Sequence, residues 1–266
     1  MIFAEANSKT KKLYNVPGLA KWLNRKINGK KAKVYSFSIL SGVDCPFANL
    51  CRSRAVIKDD GSRTIQDGPN TKFRCFSATQ EMQYKNVYDP RKENHDAVHS
   101  YDNPVDLAHA IVKDIPEDAG IVRIHIAGDF FNENYFKAWI LVASMRPDIL
   151  FYAYTKSLKY WVANRQWIPA NFVLTASRGG RSDDMIRRHK LRSAKVVFSK
   201  KEAERYGLEI DHDDSTAADP TKAGKSFALL LHGQQPAKSV ASKAWQKLVK
   251  SKKLEKVSKN HLTVLS

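Results

Sequence analysis

Three cysteines are the residues of this sequence best suited to chemistry. Cys45 and Cys51 bracket a Pro-Phe-Ala-Asn-Leu segment, and Cys75 follows in Arg-Cys-Phe-Ser. An odd number of cysteines cannot all pair within one chain. Gathered together, three thiolates would make a soft ligand set for an iron–sulfur cluster or, alternatively, for zinc. The first two follow directly on an apolar run, Val34–Leu40, that reads as a strand. His232 is a candidate fourth metal ligand.

A second set of polar residues falls where further strands should end. His125-Ile-Ala-Gly128-Asp129 closes a run from Ile121. Gly128 lets backbone approach a ligand closely, and the Asp129 carboxylate can hold an amine or act as a base, or else cap the following helix. Lys156 follows the run from Ile149 and is a candidate to bind phosphate or to pair with Asp129. His125 completes a candidate catalytic set with Asp129 and Lys156, and Gly128, Asp129 and Ser177 form a candidate cofactor-binding set. In Ser177-Arg178-Gly-Gly-Arg181 the backbone amides and two guanidiniums could cradle a phosphate. The Asp211-His-Asp-Asp214 run lacks the glycine and closing glutamate of a calcium loop and reads as a solvated acidic loop. Walker, dinucleotide-glycine, His-Glu-x-x-His and nucleophile-elbow patterns are absent.

The elements that must position these residues alternate. Strands are expected at Val34–Leu40, Ile121–Ala127, Ile149–Tyr154, Phe172–Ala176, Ala194–Phe198 and Phe227–Leu231. Helices are expected at Val16–Ile27, Pro104–Lys113, Asn132–Met145, Leu158–Val162, Ser182–His189 with Ser182 as N-cap, and Lys200–Tyr206. The polar stretches 86–103 and 207–225 read as loops. Alternation of this kind predicts an α/β fold, a partial or complete parallel (β/α) barrel, with the cysteine loop 41–85 inserted after the first strand. An open doubly wound sheet is the alternative. Residues 1–235 form the expected catalytic domain. Residues 236–266 form a basic C-terminal tail, with lysines 243, 247, 250, 253 and 256 at helical spacing.

Charge points to the partner. Against 27 Asp and Glu stand 45 Lys and Arg, a net charge of +18 over 266 residues, so a polyanion is the expected partner, DNA ahead of RNA. Arg178, Arg181, Lys243, Lys247 and Lys250 are the candidate phosphate contacts, and Tyr154, Phe130 and Trp161 are candidates to stack an exposed base. No apolar run approaches a membrane span, and no signal core opens the chain. A reducing cytosol and no membrane partner are therefore expected.

Five segments together resemble the bacteriophage gene-product-eighty-eight family: Ser41–Cys51, Phe73–Ser77, Ala127–Phe131, Tyr152–Ser157 and Ser226–Gly233. That resemblance implies a phage origin and the cytoplasm of an infected bacterial host. The layout is also similar to radical S-adenosylmethionine enzymes, although the cysteine spacing differs. This likeness implies a four-iron–four-sulfur cluster on Cys45, Cys51 and Cys75, with Gly128-Asp129 beside the cosubstrate S-adenosylmethionine. The expected function is then an iron–sulfur metalloenzyme modifying nucleic acid. A comparison with tRNA-guanine transglycosylases implies instead base exchange that inserts deazaguanine, with Asp129 as nucleophile or base. The non-enzymatic alternative is a DNA- or RNA-binding protein with a structural zinc site.

Overall fold

The computed structural model describes residues 1–251 and is built on one seven-stranded sheet. Six strands are parallel and lie in sequence order: Lys33–Phe37, Ala119–Ile124, Leu150–Thr155, Phe172–Ser177, Ser193–Val197 and Phe227–Leu230. Phe3–Glu5 adds an antiparallel strand beside the first of them, pairing Phe3 with Phe37. That three-residue strand is too short to show a period in the sequence. Among the described residues it and Phe227–Leu230 are the two edges of the sheet, so the sheet is open and no closed barrel forms.

Successive side chains on each strand leave on opposite faces. Tyr35, Phe37, Val122, Ile124, Phe151, Ala153, Phe172 and Leu174 share one apolar cluster with the helices Pro104–Asp114 and Glu133–Met145. Val34, Ile121, Leu150, Tyr152 and Val173 enter a second, under Leu13, Leu19, Trp22, Leu23, Ala217 and Ala218. Because both faces are covered, the strands read as continuous apolar runs rather than alternating ones. The face that a barrel would close upon itself is filled here by the N-terminal segment. Trp139, Tyr135, Phe136 and Phe37 are fully buried, each worth about 1.5–3 kcal/mol.

The helix Glu133–Met145 starts where its sequence says. Asn132 accepts the Tyr135 amide at 2.7 Å, and Glu133 lies in the positive first turn. Pro104–Asp114 is capped in the same way by Asn103.

Several expectations are corrected. Val16–Ile27 is not one helix: it divides into turns at Pro17–Leu19 and Ala20–Leu23 and a hairpin strand at Lys26–Ile27. Stretch 86–103 is not a loop, for Lys85–His99 is a helix with Pro90 inside it. It shows no apolar stripe because buried polar groups hold it: Arg91 donates to Glu81 at 2.8 Å, and Asn94 bonds Ile2 and Ser38. Ser182 is not a cap; the short helix is Asp184–Arg188. Segment 207–225 contains a turn of helix at Ser215–Ala218 and is far from solvated, since Asp214 is wholly buried and Asp211 nearly so. Phe130 is fully buried among His125, Tyr135, Phe136 and Phe172, so it cannot stack a base.

Residues 240–251 are helical and leave Lys243, Lys247 and Lys250 exposed, while Ala241 and Leu248 join Leu231 in a small apolar cluster with Phe73 and Trp245. The remainder of the expected basic helix, with lysines 253 and 256, lies outside the described residues. No described helix is long and apolar enough to cross a membrane.

Candidate functional site

A cavity of about 670 Å³ opens over the carboxyl ends of the parallel strands, within the size range of small-molecule sites. This is the edge at which open α/β sheets bind ligands. Cys45, Cys51 and Cys75 all line it, as half-buried free thiols.

The sequence separates Cys51 from Cys75 by 23 residues, and the fold removes that separation. The strands Ser53–Ile57 and Arg63–Asp67 pair as an antiparallel hairpin that turns the chain back. Lys72 and Phe73 then donate their amides to the carbonyl of Leu50, the neighbour of Cys51, at 2.8 and 3.3 Å. Arg74 is held by Asp67 at 2.7 Å and, through its amide, by Gln235 at 2.8 Å. Cys75 therefore arrives as the residue before the helix Phe76–Gln83, where the amides of Ser77 and Ala78 favour a thiolate.

Around the sulfurs the electrostatics are tight. Burial pushes the Cys45 thiol well up, helped by Asp129 and Cys75, and burial with Cys51 raises Cys75. Burial pulls the Lys156 ammonium down, but Cys51, Asp129, Cys45 and Cys75 outweigh it and hold the pKa above the ordinary lysine value. Lys156 thus feels all three thiols, and its Nζ is fixed by Ser177 Oγ at 2.6 Å.

Asp129 lines the cavity with Gly128, but as a clamp. Its carboxylate accepts the Thr155 hydroxyl at 2.6 Å, the Lys156 amide at 2.7 Å and the Phe130 amide at 2.8 Å. Burial raises its pKa against those three hydrogen bonds. Gly128 sits at φ +85°, a left-handed conformation that glycine alone takes without cost; a Cβ there would overlap Ile39 Cγ1. The close approach that the glycine permits is therefore to Ile39.

His125 also has a positive φ, +67°, and is buried. Its Nε2 lies 2.9 Å from the Tyr135 hydroxyl, while its Nδ1 has no partner among the described residues. Burial and the nearby Arg123 push its pKa down to about 3, so the ring is neutral.

The Ser177–Arg181 loop does something other than cradle phosphate. The amides of Gly179 and Gly180 donate to Asp183 at 2.8 and 2.9 Å, and the Gly179 carbonyl accepts the amides of Asn49 and Leu50. The two glycines seat the Cys45–Cys51 loop. Arg178 and Arg181 remain exposed beside it. His232 stands at the mouth, its ring 4.4 Å from Phe76.

The far wall of the cavity was not legible in the sequence. Asp214 accepts Lys9 Nζ at 2.6 Å, an Arg123 guanidinium nitrogen, and the hydroxyls of Tyr152 and Tyr154 at 3.2 Å. Burial alone would raise Asp214, but Arg123 and Lys9 bring it to about 2. Arg123 and Asp214 lie 91 residues apart, and an arginine inside an apolar strand was the only signal available.

No curated protein and no solved structure matches the chain. A family model does, over nearly its whole length: residues 2–248 match that of gene product 88, and the chain belongs to that family.

Proposed function

We propose that this chain is a metalloenzyme in which Cys45, Cys51 and Cys75 hold an iron–sulfur cluster and the adjoining cavity takes a small polar cosubstrate, S-adenosylmethionine being the first candidate. The observation that carries the reading is the convergence of the Cys45–Cys51 loop and the distant Cys75 on one cavity, beside Lys156. The donors are all sulfur, which suits a soft metal.

An iron–sulfur cluster there would supply an electron to the bound cosubstrate. The chain's own residues have separate tasks. Lys156 offsets the negative charge of three thiolates, Ser177 fixes Lys156, and Asp129 ties the ends of two strands together. Arg123 Nε and His125 Nδ1 have no partner among the described residues, and both atoms are closed off from solvent behind the cavity lining. With three donors already on Asp129, a role as the nucleophile of base exchange is the weaker reading.

Nucleic acid is the proposed macromolecular substrate, from the net charge of +18 and from exposed Arg178, Arg181, Lys243, Lys247 and Lys250. The helix carrying the lysines shares an apolar cluster with Phe73 and Leu231, which also line the cavity, so its charges lie beside the opening.

Anaerobic purification, followed by the visible spectrum and iron, sulfide and zinc analysis, tests the metal. About four irons and four sulfides per chain, lost in Cys51→Ser, are expected. One colourless zinc per chain would turn the reading into a zinc-stabilised binding protein, and neither metal would end it. Replacing Lys243, Lys247 and Lys250 with Glu should weaken DNA binding and flatten its salt dependence, each lost phosphate contact removing about 0.9 from the log–log slope. An unchanged slope would remove that helix from the interface.

A further inference from the structure

Outside the residues that line the cavity, we propose a second metal site: Asp44, His95 and His99 bind a divalent transition ion such as Zn²⁺ or Fe²⁺ through nitrogen and oxygen. Asp44 Oδ1 lies 2.9 Å from His95 Nδ1 and 3.0 Å from His99 Nε2. Ligands bound tetrahedrally at about 2.0–2.1 Å sit about 3.3 Å apart, so an ion enters with small side-chain shifts.

The helix Lys85–His99 places the two histidines at i and i+4, on one face, the spacing by which a single helix offers two imidazoles to one zinc. The third ligand comes from the loop that carries Cys45. Two histidines and one carboxylate form the donor set of catalytic sites, which leave a coordination position open. The cluster reaches the surface on one side: Asp44 is buried, His95 is half-buried and the His99 side chain is 39% exposed.

Asp44 is held by hydrogen bonds from behind, and the two imidazoles are positioned by ring packing. Asp44 Oδ2 accepts the Leu40 amide at 2.9 Å, and the Asp44 carbonyl accepts the Asp129 amide at 3.0 Å. The His99 ring stacks on Phe131 at 3.9 Å and lies 4.2 Å from that of His95. One turn before His95, Arg91 grips Glu81, whose carboxylate takes the amide and hydroxyl of Ser41. The loop and the helix are thereby pinned together before any ion arrives. Asp96, between the histidines, is exposed and paired to Lys92, so the helix supplies no general base of the metalloprotease kind.

Asp44 directly precedes Cys45, but the two donor sets share no residue and differ in chemistry, nitrogen and oxygen against sulfur. Titrating the full-length protein with Co²⁺ separates the two. Thiolate-bound cobalt gives intense near-ultraviolet charge-transfer bands, whereas nitrogen and oxygen ligands give only weak visible bands. The wild type and Cys51→Ser should each show one saturable site of the weak-band kind. His99→Gln, at a half-exposed position that preserves packing, should weaken it at least tenfold, and His95→Ala/His99→Ala should abolish it. Zn²⁺ should raise the melting temperature of the wild type and of Cys51→Ser but not of His99→Gln. If cobalt shows only thiolate bands, or if His99→Gln binds as the wild type does, Asp44, His95 and His99 are a hydrogen-bonded clamp and the proposal fails. Loss of iron from the cysteines with cobalt binding intact would overturn the cluster and leave this site standing.

Discussion

Two polar groups face the same cavity and are built on opposite plans. At one wall Asp214 accepts four donors from Lys9, Arg123, Tyr152 and Tyr154, as many as a carboxylate has lone-pair sites. At the other wall three free thiols and Lys156 crowd together, and burial pushes Cys45 and Cys75 toward the neutral form. The saturated wall is a finished structural joint, fastening the Lys9 segment and the Asp211–Asp214 loop onto a strand. The thiol wall keeps its binding capacity in hand, which is what a site needs and a core avoids.

The comparison breaks first at Asp214. Asp214→Ala leaves Arg123 buried without its partner and should lower unfolding stability by about 3–5 kcal/mol in urea titrations. A loss below about 1 kcal/mol would mean that this wall, too, is open to a ligand. Gly128→Ala tests the seam between the walls. A left-handed alanine pressed on Ile39 should cost about 2–4 kcal/mol by the same measurement.

Acid sharpens the contrast. The unfolded Asp214 carboxyl titrates near 3.9 and the folded one at about 2, so its contribution of about 2–3 kcal/mol is present above pH 4 and is lost as pH falls toward 2. His125 acts higher. The unfolded ring takes up a proton near pH 6.5 that the folded one refuses until about 3, so stability declines as pH drops through that window. His125→Asn, which tolerates the positive φ, should flatten the decline between pH 6.5 and 4 in stability measured against pH. A decline of unchanged steepness would place the ring in a different charge state.

The smallest effect is expected where function should be greatest. Cys75→Ser in metal-free protein should change stability by less than about 1 kcal/mol, while abolishing metal retention. A larger loss in the metal-free protein would make the thiol wall a structural joint like the other.

Much of the fold was legible because strands and helices of the second half carry strong local signals. The runs from Ile121, Ile149, Phe172 and Ala194 are apolar on both faces, and Asn132 announces its helix. The Lys85–His99 helix was missed because two of its three buried positions, Arg91 and Asn94, are polar and serve distant partners, leaving Val98 as the one buried apolar residue. The acidic run was misread for a related reason. Asp214 is buried only because Arg123 and Lys9 come to it. His95 and His99 passed unremarked, since their helix was itself read as a loop and the third donor is 51 residues away.

The sequence by itself determined which residues can carry soft-metal chemistry, that strands would alternate with helices, and that polar residues would collect where strands end. Residue type and hydrophobic period are local properties, and they survive without the fold. The tertiary structure alone decided that the sheet stays open, that a hairpin and the Leu50 carbonyl bring Cys75 to Cys45 and Cys51, and that Gly179 and Gly180 seat a loop instead of a phosphate. Those outcomes depend on hydrogen bonds and ion pairs between residues tens of positions apart. Their partners come into range only when the sheet has formed.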